Sequence, residues 1–236
     1  MIIAANLKTN LTRKDTDKYI NELNTYMDKH NISQEVIVFP AMTSLDSYDS
    51  EVIVGAQNAY ATKNGAFTGE IGLEHLEEFG IKTILIGHSE RRHILGETQQ
   101  ELVTKFNYYK ELGFKIVYCI GEPLEKREAG KEKMMEYISS QYEGIDTEYE
   151  NLIIAYEPVW AIGTGLTPTL EDISEIHLEL KTKSKAPLLY GGSVKVTNAK
   201  EVLAVPNVDG ILVGSAALYA EHFCTMIEYA QELSVN

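Results

Sequence analysis

Glu157, His88, Lys8 and Asn6 are the residues of this chain whose types and surroundings could do chemistry. Glu157 closes the apolar run Ile153-Ile154-Ala155-Tyr156, and Pro158-Val159-Trp160-Ala161-Ile162-Gly163-Thr164-Gly165 follows, a loop whose glycines allow backbone shapes that other residues avoid. A carboxylate fixed at a strand end, with a loop able to close over it, is one way to build a general base. His88 stands in Gly87-His88-Ser89-Glu90-Arg91-Arg92, at the opening of a helical turn. The N–H groups and dipole of a helix start oppose protonation, so a neutral imidazole able to act as electrophile is predicted. Lys8 follows Asn6 by two residues just beyond another strand end. Gly191-Gly192-Ser193 and Gly214-Ser215 are glycine turns that open helices and suit the presentation of backbone N–H groups to a phosphate.

Each of these has a plain alternative when taken alone: a solvated glutamate, a structural histidine, a surface lysine, an ordinary turn. Cys119, in apolar surroundings, reads as a packed core thiol. The set carries more weight than its members. One base, one electrophile, one cation and one N–H-rich anion site, without a metal cluster, suit proton abstraction next to a carbonyl in a small phosphate ester. Glu157 would take a carbon-bound proton while His88 and Lys8 stabilise the oxyanion. Enediolates can lose phosphate in water, which gives a covering loop a chemical purpose.

Such a set must be gathered by elements far apart in the chain. Eight apolar runs of strand length recur: Ile2 to Ala5, Val36 to Phe39, Val52 to Ala56, Thr83 to Ile86, Ile116 to Ile120, Leu152 to Tyr156, Pro187 to Tyr190 and Ile211 to Val213. They are continuous rather than alternating, the pattern of parallel strands buried on both faces. Amphipathic segments separate most of them. Tyr19, Leu23, Tyr26 and His30 recur at helical spacing, widened by Ile20 and Met27, and Leu102, Phe106 and Tyr109 do the same before Gly113, where a helix should stop. The interval from Val36 to Val52 has room for about three turns of helix at most. No linker divides the chain, so residues 1–236 read as one closed (β/α)8 barrel domain, with chemistry expected just beyond the C-terminal ends of the strands. The first crossover lacks G-x-G-x-x-G, which weakens a dinucleotide-binding reading.

Composition bounds the partners. Of 236 residues 44% are apolar and 24% charged, as in an ordinary globular protein, and 21 Lys and Arg against 35 Asp and Glu leave a formal charge of -14. That balance opposes nucleic acid and acidic membrane surfaces, so an anionic ligand must be held by local features. Cys119 and Cys224 have no metal spacing, which favours a reducing compartment over a disulfide framework. The run Met1 to Ala5 is far too short for a signal peptide or a membrane span.

From Asn6 to about Tyr219 the chain resembles the triosephosphate isomerases. The resemblance is carried in order by Ala5-Asn6-Leu7-Lys8-Thr9-Asn10, Ala56-Gln57-Asn58, Gly65-Ala66-Phe67-Thr68-Gly69-Glu70, Gly87 to Arg92, Cys119-Ile120-Gly121-Glu122, Ala155 to Gly165 and Tyr190-Gly191-Gly192-Ser193-Val194. That family is itself the standard case of a glutamate base beside a neutral histidine. The resemblance implies a TIM barrel that interconverts glyceraldehyde 3-phosphate and dihydroxyacetone phosphate, in glycolysis and gluconeogenesis, in the cytoplasm, with no cofactor and no metal. It implies Glu157 as proton shuttle, His88 polarising the carbonyl, Lys8 offsetting charge, Asn6 supporting the oxyanion and Glu90 close to the chemistry. Phosphate would rest on N–H groups of Gly163, Ser193, Gly214 and Ser215, under a lid hinged at Pro158 to Trp160 and at Leu166 to Pro168, a device for which the family is again a standard example. Arg91 and Glu97 would pair near the site. A homodimer is implied, with the loop Asn64 to Glu70 inserted into the partner and Thr68 crossing the interface.

The chain also departs from the family's pattern. Leu7 stands where many members have Trp, Ser215 replaces a common Gly, and the interval from Glu157 to Ser193 is short. Pro168 falls where members offer an N–H to the tyrosine matching Tyr190, and proline has none. Other readings of the same residues are a different sugar-phosphate barrel or a phosphate-binding barrel without activity. The first needs paired acids or a Schiff-base lysine, and no second strand-end lysine accompanies Lys8. The second has no use for Asn6, Lys8, His88 and Glu157 together.

Overall fold

A computed structural model describes residues 1–162, 166 and 168–235. The strands are β1 (Ile2–Asn6), β2 (Glu35–Phe39), β3 (Ile53–Val54), β4 (Thr83–Ile86), β5 (Lys115–Ile120), β6 (Leu152–Tyr156), β7 (Leu188–Tyr190) and β8 (Gly210–Val213). All pair in parallel, in the order β3-β2-β1-β8-β7-β6-β5-β4. Ala56 closes the ring: its N–H donates to Thr83 O at 2.9 Å and its carbonyl accepts from Leu85 N at 2.8 Å. The third strand is shorter than the predicted Val52 to Ala56. Gly55 N still bonds Val38 O on β2 at 2.9 Å, but at Ala56 the chain turns to β4, so the pairing changes neighbour between successive residues. The result is a nearly closed (β/α)8 barrel.

The helices are α1 (Arg13–His30), α2 (Leu73–Glu78), α3 (Ser89–His93), α4 (Gln99–Glu111), α5 (Leu124–Glu128), α6 (Lys131–Ser140), α7 (Leu170–Lys181), α8 (Val196–Leu203) and α9 (Ala220–Val235). Thr12 caps α1 by accepting from Asp15 N, and the helix buries Tyr19, Ile20, Leu23 and Met27. His30 departs from the predicted stripe: in the last turn it is exposed and stacks on Tyr26 with ring centroids 4.2 Å apart. Leu102, Phe106 and Tyr109 of α4 are buried, and Gly113 beyond its end takes φ +72°. Between β2 and β3 only the 3-10 turn Met42–Ser44 forms. Among the described residues no helix is long and apolar enough to cross a membrane.

Strand parity sorts the core into two layers. Ala4, Phe39, Leu85, Cys119, Ala155 and Leu212 point inward and fill the barrel. Ile3, Val38, Ile86, Ile154, Tyr156 and Tyr190 point outward and pack with the helices. The inward register takes in Asn6 after Ala4 at the end of β1 and, past the strand ends, reaches Glu157 after Ile153 and Ala155 and Gly214 after Leu212. The barrel thus aims these positions at its C-terminal mouth.

Candidate active site

Glu157 is fixed by backbone before its side chain makes any contact. Its N–H donates to Ile120 O at 2.7 Å, and a Cβ built on Gly121 would lie 1.7 Å from the Glu157 carbonyl oxygen, so only glycine lets β5 and β6 come together there. The carboxylate is 2% exposed. Its Oε2 accepts from Ser89 N at 2.9 Å, and Oε1 lies 3.0 Å from His88 Nε2. Burial pushes the Glu157 carboxyl up, but His88, the Ser89 N–H and Lys8 outweigh it and hold the group below the usual carboxylate range. It is an ionised base kept out of water.

His88 follows β4 after Gly87 and caps α3. Its Nδ1 accepts from Glu90 N at 3.2 Å, which leaves the ring proton on Nε2, facing Glu157. Burial disfavours the imidazolium, yet Glu157 and Glu90 favour it, and the balance raises the pKa above the ordinary histidine value. This differs from the neutral ring predicted from the helix start alone, because a carboxylate in contact across the barrel outweighs that local effect. The Glu90 N–H at Nδ1 still opposes a second ring proton.

Lys8 has φ +52°, a left-handed backbone rarely adopted by a side-chain-bearing residue and costing about 1–3 kcal/mol. Its neighbours hold it there: Lys8 N donates to Asn6 Oδ1 at 3.0 Å, and Gln57 Nε2 donates to Lys8 O at 2.7 Å and Phe39 O at 3.0 Å. The ammonium pairs with Glu90 Oε1 at 2.7 Å. Arg91 Nε donates to Glu97 Oε2 at 3.0 Å, and buried Lys105 reaches both Glu97 and Asn58.

One cavity of about 520 Å³ brings Asn6, Lys8, His88 and Glu157 together with Ser193, Gly214 and Ser215. Glu90 faces an adjoining cavity that shares Asn6, Lys8 and His88. Gly163 lies outside the described residues. Ser215 begins the 3-10 turn Ser215–Leu218 without positive φ, so serine in place of glycine brings no left-handed strain. Ser193 Oγ donates to Ala161 O at 2.6 Å, tying the first glycine turn to the loop after Glu157. Beneath that loop, Glu122 Oε1 accepts from Trp160 Nε1 at 3.0 Å and Tyr156 OH at 3.1 Å, while Arg127 lies 4.6 Å over the Trp160 ring. The Tyr190 hydroxyl is buried with no hydrogen-bond partner among the described residues.

Sequence reasoning missed the Ser89 N–H, since a backbone donor has no residue-type signature. It also missed Lys195 and His222, which line the same cavity. A basic residue soon after each glycine turn is the signal that could have found them. The arrangement pairs an ionised buried carboxylate with an N–H donor, a cation and two N–H-bearing turns, and can move a carbon-bound proton in a phosphorylated carbonyl compound.

The sequence profile described as triosephosphate isomerase matches residues 1–230. Curated triosephosphate isomerases are similar to the chain over nearly its whole length. That of Sulfurimonas denitrificans is 75% identical over 233 residues, covering 99% of this chain and 97% of the relative. That of a Sulfurovum species is 57% identical over 227 residues, 96% of this chain and 99% of the relative. A Nitratiruptor enzyme is 54% identical over 233 residues, 99% of this chain and 100% of the relative.

Proposed function

This chain belongs to the triosephosphate isomerase family and interconverts D-glyceraldehyde 3-phosphate and dihydroxyacetone phosphate through an enediolate, in glycolysis, and we propose that Glu157 is the base that moves the proton. Glu157 takes a proton from the carbon next to the carbonyl, and the electron pair moves onto the carbonyl oxygen. The same carboxyl returns the proton to the neighbouring carbon, while that carbon's hydroxyl gives up its proton, by way of His88 Nε2, to the oxygen that held the charge, so that the carbonyl re-forms on the second carbon. His88 Nε2–H donates to the oxygen where charge develops, Lys8 offsets that charge and the phosphate's, and Asn6 supports the oxyanion. As Glu157 leaves Nε2 to reach carbon, the contact that favours the imidazolium weakens, and burial with the helix start keeps His88 neutral. Glu90 holds Lys8.

Phosphate rests on the N–H groups of Ser193, Gly214, Ser215 and Gly163. The lid hinges at Pro158 to Trp160 and at Leu166 to Pro168, of which Thr167 lies outside the described residues. Because Pro168 has no N–H, the closed lid is held by Ser193 and glycine contacts rather than by Tyr190. A structure with a bound substrate analogue in which Tyr190 bonds another lid N–H would count against this. The protein works as a cytoplasmic homodimer, residues 1–236 of each chain forming a single domain, with Thr68 crossing the interface.

The observation that carries the mechanism is the buried, ionised Glu157 within 3.0 Å of His88 Nε2, in the cavity that also holds the glycine turns. A coupled assay with glyceraldehyde 3-phosphate tests it. Glu157→Ala is expected to lower kcat by about 10²- to 10⁴-fold or more. Turnover unchanged in that variant would sink the assignment.

A further inference from the structure

The cavity does not end at the glycine turns. It runs on to Lys195, one residue before α8, and to His222 in the first turn of α9. Its described lining carries Lys8, Lys195, His88 and His222 against a single carboxylate, Glu157, in a chain of formal charge -14. Lys8 is paired with Glu90, whereas the Lys195 ammonium has neither a carboxylate nor a hydrogen-bond acceptor among the described residues. The Lys195 backbone N–H is bonded to Asn198 Oδ1 at 2.8 Å, which fixes the chain at the helix start while the side chain stays exposed. The His222 ring stands edge-on to Tyr219, centroids 5.3 Å apart, and both residues line the same cavity as Lys195.

A triose phosphate has one phosphate, and its carbon chain must run from the turns toward Glu157. The outer end of the cavity is then basic without being needed for the reaction. We propose that Lys195 and His222 form a second anion subsite. It takes the second acidic group, phosphate or carboxylate, of a small phosphorylated compound whose first phosphate occupies the turns Gly191 to Ser193 and Gly214 to Ser215. Such a two-anion compound excludes substrate and inhibits competitively, by bridging two sites that a mono-anion cannot bridge. The inference rests on the reading of those turns as the phosphate site.

Propyl phosphate and 1,3-propanediol bisphosphate are the probes, each measured as an inhibitor of the isomerase at fixed ionic strength. The wild type is compared with Lys195→Met, His222→Phe and the double variant. The bisphosphate should inhibit the wild type about 5-fold more tightly than propyl phosphate, as one solvent-facing ion pair to Lys195 with a hydrogen bond from His222 permits. In the double variant that preference should vanish, with kcat and the propyl phosphate constant unchanged. The exposed Lys195→Met variant carries the test by itself if the double variant does not fold. Equal inhibition of the wild type by both probes, or equal weakening of both in the variants, would overturn the subsite. Failure of propyl phosphate to compete at all would remove the reading of the turns and the subsite with it.

Discussion

His88 and Glu157 set each other's protonation, so removing one should be read in the titration of the other. With His88 in place, burial of Glu157 is outweighed and its carboxyl sits below the usual carboxylate range. His88→Leu removes the main opposing influence and leaves burial to act, which raises the Glu157 pKa. The base is active only when ionised, so the acid limb of kcat/KM should move toward neutral pH, with kcat lower by about 10²- to 10³-fold for the lost donor. A pH profile of kcat/KM for both proteins checks this. A limb that stays in place would mean that His88 does not govern Glu157. The identities of Asn6, Lys8, His88 and Glu157 were legible in the sequence because polar residues at or just past the C-terminal ends of apolar strands stand out. The His88–Glu157 contact was not, since it joins β4 to β6 and depends on Gly121 letting the backbone close to a distance no side chain would allow.

At the scale of elements, the eight strands were legible because burial on both faces removes polar residues from them, and the shortened β3 was not, because the pairing passes from β2 at Gly55 to β4 at Ala56 between successive residues. The helix α7 carries a residue whose behaviour no pattern announced. His177 is fully buried on it, with Nδ1 3.1 Å from Asn207 O and Nε2 without a hydrogen-bond partner among the described residues. Burial lowers its pKa from 6.5 to about 4. Between those values the unfolded chain takes up a proton that the native protein refuses, so stability falls as the pH drops from 6.5 to about 4 and this contribution levels off below. The loss over that window is of order 3 kcal/mol. His177→Gln should flatten this part of the stability curve, measured by urea unfolding across the window. An unchanged slope would assign the acid sensitivity to other groups.

The whole molecule presents an apolar surface beside its own site. Met42, Phe67, Ile94 and Leu95 are 44%, 42%, 76% and 66% exposed, and three of them line the cavity shared by Asn6, Lys8 and Glu90. Phe67 stands next to Thr68 on an exposed loop and packs on Tyr60, with ring centroids 4.4 Å apart. Met42, Ile94 and Leu95, exposed around one cavity, fit the interaction surface that the proposed two-fold dimer needs, in which the loop of one chain would cover the cavity of the other. Burial by a partner would also exclude water around the Lys8–Glu90 pair and stiffen the left-handed backbone at Lys8. Association and catalysis are therefore expected to fail together. Thr68→Glu places a charge in the proposed contact without touching any residue of the chain's own site. It should convert the sedimenting species from two chains to one and lower kcat by up to about 10²-fold through displaced catalytic groups. A wild-type protein that sediments as one chain with full turnover would refute the dimer. A monomeric Thr68→Glu variant with undiminished kcat would refute its role in holding Lys8.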